Sequence, residues 1–319
     1  MKTIDDLKQF YETTLMADLN ALENKRKAIV GRITIAGVVI VVVGLLVVFL
    51  ISRQTAVLMP VILFSVFICI IIFGVTIRLF TKSYVMEFKF AIIQRIVNFI
   101  DDNLNYSASQ RIPKSTFVAS QIFKTKPNRY KGDDYVRGKI GETNVEFSEL
   151  HAEYESGSGK NRSRRTVFKG LFFVADFNKY FTCSVVVLPD TAEKLFGSFG
   201  KLLQSWNITR DQLIKLEDPE FEKYFVVYSK DQVQARYILS TSLMQRIVEF
   251  KKETNRPIYL SFVGVNVYVA VSYTKNLFEP RLFRSILDFK LVQEYFEDIQ
   301  LAVGIVDELN LNTRIWSKE

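Results

Sequence analysis

The sequence predicts an α+β protein: a long transmembrane helical hairpin, then a mostly antiparallel sheet or open barrel with packed helices. Three observations carry this. Residues Ile33 to Ser52 and Gln54 to Ile77 contain no charge, and each run can cross a hydrocarbon core of ~30 Å, which takes ~20 helical residues. Amphipathic helical spacing continues beyond the outer end of both runs. After residue 105, short apolar runs of strand type dominate, with helical patterns between them. Composition agrees. Of 319 residues, 49% are hydrophobic and 27 are Phe, which excludes a disordered chain. Two cysteines exclude a disulfide scaffold, and seven prolines with 14 glycines exclude collagen-like architecture. A single histidine argues against a metal site built from imidazoles.

The chain divides into an amphipathic helix (1–32), a two-span hairpin (33–80), a helical stalk (81–104) and an α+β domain (105–319). Thr3 and Asp6 have capping-box spacing. Ile4, Leu7, Tyr11, Leu15, Leu19 and Leu22 then recur at helical intervals, and no proline interrupts residues 3–52. Both spans are rich in β-branched residues, but in lipid only helices and closed barrels satisfy the backbone. Arg53 to Ala56 form a tight turn. Pro60 stands near the start of the second helix, where proline is tolerated. Val85, Phe88, Ile92, Ile96, Phe99 and Ile100 continue the second helix to about Leu104. Two antiparallel helices over 3–52 and 57–104 result, with arms of about 22 residues, ~33 Å at 1.5 Å per residue. The arm stripes, including Leu15 and Leu19, pack on each other or pair with another chain. Gly37 and Gly44 share a face and permit close helix contact, within the hairpin or between protomers. Lys25, Arg26, Lys27, Arg32, Arg78, Lys82 and Lys89 flank the spans, whereas the turn carries only Arg53. By the positive-inside rule both ends are cytoplasmic, and free cysteines agree with a reducing compartment.

In the cytoplasmic domain, strands are predicted at Tyr135–Ile140, Asn144–Tyr154, Thr166–Phe177, Tyr180–Leu188, Tyr224–Tyr228 and Ile258–Val271, the last with a possible turn at Gly264–Asn266. Helices are predicted at Thr191–Gln204, Thr241–Glu253 and Ser285–Leu309. The connections are short and favour antiparallel pairing. No βαβ period or solenoid repeat is present.

No catalytic motif emerges: no G-x-S-x-G, H-E-x-x-H, paired C-x-x-C or Rossmann fingerprint. The expectation is a protein that is not an enzyme and uses no cofactor. His151 shares a strand face with Glu149 and Glu153, and reads as a solvated face. SGSGKNRSRR (156–165) is not a P-loop, since Tyr154 stands where its first Gly belongs and Asn161 replaces the Ser/Thr. It reads as a hairpin tip carrying Lys160, Arg162, Arg164 and Arg165, with Lys169 close by. That basic loop is either simply solvated or a contact for anionic lipid headgroups or a partner. No motif for reading bases accompanies it, so nucleic acid is not the expected ligand. Cys183 reads as a buried packing residue, Asp218–Pro219 as a turn, and Asp231 with Arg236 as an ion pair.

Three motifs carry a resemblance: VFKGLFFVADFNKYF (167–181), LEDPEFEKYFVVYSKDQVQARYILS (216–240) and IYLSFVGVNVYVAV (258–271). The middle one, with Asp218, Pro219, Phe221, Phe225, Asp231, Arg236 and Tyr237, is the most specific. With the preceding hairpin, the chain resembles a family of bacterial membrane proteins grouped under a domain of unknown function, DUF3137. The resemblance implies an integral protein of the bacterial inner membrane. It implies no activity, cofactor or catalytic residue, and it suggests a LemA-like membrane protein as a partner. The resulting expectation is a membrane-anchored interaction or scaffold protein that forms homo-oligomers. The alternative is a membrane-tethered domain that binds or senses anionic lipid.

Overall fold

The computed structural model describes residues 2–52, 58–190 and 212–312. Helix α1 (Ile4–Phe10) opens on the expected capping box: the Asp6 amide donates to Thr3 Oγ1 at 3.2 Å, and the Thr3 amide donates to the Asp6 carboxylate at 2.8 Å. A π-helical turn (Tyr11–Leu15) leads into α2 (Met16–Ser52). The second arm mirrors this arrangement, with α3 (Leu58–Phe88), a π turn (Lys89–Ile93) and α4 (Gln94–Ile100). The expected turn at Arg53–Ala56 lies outside the described residues. The second helix stops short of Leu104 because Leu104–Ser107 becomes strand β1.

Burial changes sharply along each helix. In the most apolar 18-residue window of each, only 6% and 0% of residues are buried. Further out the same helices bury a stripe: Leu7, Leu15, Leu19 and Leu22 on one arm, and Tyr84, Phe88, Ile92, Ile93 and Ile96 on the other. Both helices are long and apolar enough to cross a membrane. Charged pairs tie the arms together. Arg95 meets Asp18 at 2.7 Å, Lys25 meets Glu87, and Arg95 also donates to the Thr14 carbonyl, within the first π turn, at 3.4 Å.

The sheet is antiparallel throughout and open among the described residues. Its strands are β1, β2 (Arg129–Ile140), β3 (Thr143–Ser156), β4 (Ser163–Pro189), β5 (Gln212–Ile214), β6 (Phe225–Ser229) and β7 (Ile258–Ser272). The order is β1-β2-β3-β4-β6-β5, with β7 also on β4. Two expectations change here. Thr166–Phe177 and Tyr180–Leu188 are one continuous 27-residue strand, and Gly264–Asn266 is not a turn. Neighbours explain both. Residues 170–175 of β4 lie between β3 and β7, and residues 185–187 between β6 and β7, so the strand is paired on both edges on either side of the join. The irregularity shows instead as register shifts around Phe181 and as a positive φ of 64° at Gly264, the signature of a bulged, locally twisted ladder.

Helices α5 (Lys114–Ala119), α6 (Pro219–Tyr224), α7 (Gln232–Ile238), α8 (Thr241–Thr254) and α9 (Phe289–Glu308) complete the described elements. The expected helix at Thr191–Gln204 lies outside the described residues. Asp218–Pro219 starts a helix rather than a turn: Asp218 Oδ1 accepts from the amides of Glu220 and Phe221 at 2.9 and 3.1 Å, with Pro219 at the first helical position. Asp231 likewise caps α7, accepting from Val233 and Gln234 at 2.8 and 3.1 Å. Its carboxylate is therefore not the partner of Arg236, which donates to the Lys215 carbonyl at 3.4 Å. Helix α8 ends on Asn255 in the left-handed conformation, φ 48°. One apolar cluster contains Phe117, Phe168, Phe172 and Tyr268, with Phe117 stacked on Phe123 at 5.3 Å.

Asp298 of α9 is 8% exposed and accepts from the Tyr273 hydroxyl at 2.9 Å, with Lys275 at 3.5 Å. Burial raises its carboxyl above the ordinary 3.8, opposed by Lys275 and the Tyr273 hydrogen bond. A raised carboxyl contributes stability that is full below the ordinary value and is lost as pH climbs through the folded value. The thermal midpoint of Asp298→Asn relative to the unmodified chain should therefore move in favour of Asn as pH rises through this window. A difference independent of pH would disprove it.

The contacts resolve into two compact units, Met1–Ile96 with Phe278–Tyr295, and Val97–Leu277 with Phe296–Glu319. Both are discontinuous in the chain.

Candidate functional site

Phe278 to Asp288 form an irregular strap leading into α9. Its expected start as helix at Ser285 is displaced to Phe289, where Asp288 Oδ1 accepts from the Lys290 amide at 3.0 Å. Irregular backbone cannot satisfy its own donors and acceptors, so buried groups must find partners elsewhere. Here the two arms supply them. Tyr11, opening the first π turn, donates its hydroxyl to the Leu287 carbonyl at 2.6 Å and sets its ring edge-on to Phe289 at 5.3 Å. Glu23, 3% exposed, accepts from Arg26 Nε and Nη2 at 2.9 and 2.7 Å and from the Ile286 amide at 3.2 Å. Arg26 Nη1 then donates to the Leu282 carbonyl at 2.8 Å.

The second arm contributes a charge. Lys89, opening the other π turn, is 1% exposed and meets Glu279 at 2.9 Å. Phe88 sets its ring edge-on to Tyr295 at 5.9 Å, and the Tyr295 hydroxyl donates to the Glu279 carbonyl at 2.6 Å. Arg281 reaches Glu294 at 3.1 Å. A π turn inserts a residue into the helix and so re-aims the side chains beside it; both π turns open on a residue that grips the strap. The result is a clasp made of charge-assisted hydrogen bonds, with geometry suited to holding a segment in place.

Inside the clasp unit, the Tyr84 hydroxyl is buried, and among the described residues it has no hydrogen-bond partner. A buried hydroxyl without a partner costs its desolvation. Tyr84→Phe should therefore be neutral or more stable by up to ~1 kcal/mol, read as an unchanged or raised thermal midpoint. A clear loss would show that the hydroxyl has a partner.

Sequence reasoning missed the clasp, although two signals were present. Glu23 falls on the Leu15–Leu19–Leu22 stripe, and Lys89 sits between Phe88 and Ile92 on the other. A charge on an apolar stripe needs a partner; only the fold shows which.

The residues singled out from sequence fall in several places. Leu15 and Leu19 are fully buried within the first unit. A Cβ on Gly37 would stand 3.1 Å from the Phe73 ring, and one on Gly44 would stand 2.8 Å from Cys69 Sγ, so both glycines lie where the two spans of one hairpin touch. Apolar grooves of about 780 and 520 Å³ run along this contact.

The basic loop lies in the other unit, at the β3–β4 hairpin tip, and Lys160 has its side chain outside the described atoms. Arg162 and Arg164 both pair with Glu155, Arg164 at 3.1 Å, and Arg164 stands 3.9 Å from Glu153. Arg165 donates to Thr125 Oγ1 at 2.8 Å and stacks over Tyr154 at 5.6 Å, while Lys169 donates to the Thr274 carbonyl at 3.1 Å. Two carboxylates thus take up much of the loop's charge. The neighbouring acids do not form a solvated face: Glu149 and Glu153 are 7% and 8% exposed, and Glu149 accepts from the Leu277 amide at 2.7 Å. His151 stands between Lys131 and Lys169 in register. Burial pushes its imidazole below the ordinary 6.5, with Glu153 opposing and the two lysines reinforcing. Cys183 is half-buried rather than buried, and its thiol donates to Gln234 Oε1 at 2.7 Å.

These features define a class of protein: an apolar helical hairpin with its own clasped strap, in one chain with an open antiparallel sheet and helices. Residues 166–311 match the model of the family described as protein of unknown function (DUF3137). The match contains all three motifs from which the resemblance was read, and it leaves out the hairpin and β1 to β3. No curated protein matches the chain. One similar solved structure is the crystal structure of the mycobacterial trehalose monomycolate transport factor A, TtfA. It is 12% identical, with a TM-score of 0.34, and the alignment covers 66% of this chain and 95% of that chain.

Proposed function

We propose that this chain is a membrane-anchored interaction or scaffold protein, with both ends cytoplasmic and no catalytic role. The observation that carries the reading is the switch of burial along each helix. The apolar windows bury almost no side chain, while the next turns of the same helices are packed and clasped. Exposed Val, Ile and Phe over two such lengths are costly in water and need no cover in lipid. The clasp supports the scaffold role, since it holds a segment from late in the chain on the arms that emerge from the spans. The arm stripes support packing within one chain, so self-assembly rests on the outer faces of the hairpin.

The test uses the full chain. Membranes of expressing cells, washed with alkaline carbonate, should retain it, and its mass in nanodiscs should correspond to a defined oligomer. Release into the carbonate supernatant would overturn the membrane reading. A monomer in nanodiscs would overturn self-assembly alone.

A further inference from the structure

We infer that the apex of the strap, Phe283–Arg284, is a second membrane contact: an interfacial anchor that seats an aromatic ring and a guanidinium in an anionic bilayer surface. The inference rests on the reading of the hairpin as membrane-spanning. The strap's ties give its path. Glu279 is held at Lys89, Leu282 at Arg26, Ile286 at Glu23 and Leu287 at Tyr11. Of these anchor points Arg26 lies nearest to an apolar run, seven residues before Ile33, ~10 Å along the axis at 1.5 Å per residue. Ile286 is already back at Glu23, further from the span. The turn of the strap therefore falls at Leu282–Ser285, beside the level where the chain enters lipid.

What projects from that turn fits the interface. Phe283 is 70% exposed, a large apolar side chain left uncovered in a unit that buries Tyr11, Tyr84, Phe88, Phe278 and Tyr295. Arg284 is exposed and has no ion-pair partner among the described residues, whereas its neighbour Arg281 is held by Glu294. Lys27, Arg32, Arg78 and Lys82, exposed on the helices around the same level, add positive charge, and the exposed acid there, Glu87, is paired with Lys25. Beyond the hydrocarbon core each headgroup layer adds roughly 5–8 Å. That is within reach of a Phe ring standing off a loop tied at ~10 Å. An apolar Phe side chain buries itself at the headgroup–acyl boundary, and basic side chains there meet anionic headgroups. A soluble partner would explain an exposed aromatic, but not its placement among cations at the edge of the apolar run.

The test is depth measurement on the full chain in nanodiscs. In a Cys69→Ala, Cys183→Ala background, a nitroxide is placed singly by Phe283→Cys, Val43→Cys or Ile4→Cys, and its collision rates with oxygen and with a neutral nickel chelate are compared. The label at 283 should show an oxygen-to-nickel ratio several-fold above that at 4 and below that at 43. The ratio should rise when phosphatidylglycerol replaces phosphatidylcholine, and Arg284→Glu should abolish that rise. A label at 283 as aqueous as that at 4, with 43 deep, would overturn the anchor while leaving the hairpin reading intact. A label shielded from both reagents would overturn it in favour of a protein contact. An aqueous label at 43 would overturn the hairpin reading and the anchor with it.

Discussion

Glu23→Ala is expected to release the strap and to lower stability by ~3–5 kcal/mol, the usual cost of removing one partner from a buried ion pair. Glu23 accepts three hydrogen bonds, two from Arg26 and one from the Ile286 amide. Its loss leaves a guanidinium whose side chain is 11% exposed without its carboxylate, and a buried amide without an acceptor. Hydrogen–deuterium exchange on the full chain in nanodiscs should show faster exchange over residues 282–290. Glu23→Gln keeps the acceptor for Ile286 and loses only the charge, so it should fall between alanine and the unmodified chain. Unchanged exchange in the alanine variant would mean that the clasp does not hold the strap. Glu279→Ala should act in the same direction and more weakly. Its side chain is 35% exposed, and water discounts the pair with Lys89.

Gly44→Leu should force the two apolar helices apart, costing ~1–3 kcal/mol as overpacking. The first added carbon already meets Cys69 Sγ at 2.8 Å, and the side chain beyond it has nowhere to go without displacing the facing helix. Gly74→Leu, where a Cβ meets nothing within 4 Å, is the matched control and should be silent. The thermal midpoint of the detergent-solubilised chain reads the difference. A double change, Gly44→Ala with Cys69→Ala, should recover most of what Gly44→Ala alone loses, because the clash is with that sulfur; neighbouring sites couple in this way. Equal behaviour of Gly44→Leu and Gly74→Leu would show that the spans do not touch at Gly44.

Much of the fold was legible from local chemistry. The capping box at Thr3 and Asp6, the two charge-free runs and the amphipathic arms each report on a few turns of helix, and the structure has them where the residues place them. Antiparallel pairing was legible too, since short connections between β-rich runs leave little else. Phe177–Tyr180 and Gly264–Asn266 show where such reading stops. Both have turn composition, yet both lie inside strands: the ladder on either side of each is paired, and Gly264 and Asn266 stand opposite Phe181 and Asp176. Asp218 and Asp231 show the same limit. Each was read by its neighbours in sequence, and each caps a helix whose existence depends on the packing of Phe221 or Ala235 and Ile238.

The sequence by itself determined the class of the molecule: two long apolar helices and an α+β domain. Hydropathy, helical period and caps are local properties, and they survive folding unchanged. Only the tertiary structure decided the rest. It brought Leu287 to Tyr11, 276 residues away in the chain, and gave Glu23 and Lys89 their strap partners. It also set Arg162 and Arg164 against Glu155. The reason is physical: a charge's partner is chosen by distance in space, and nothing in a residue's own neighbourhood of sequence encodes which distant segment will arrive to neutralise it.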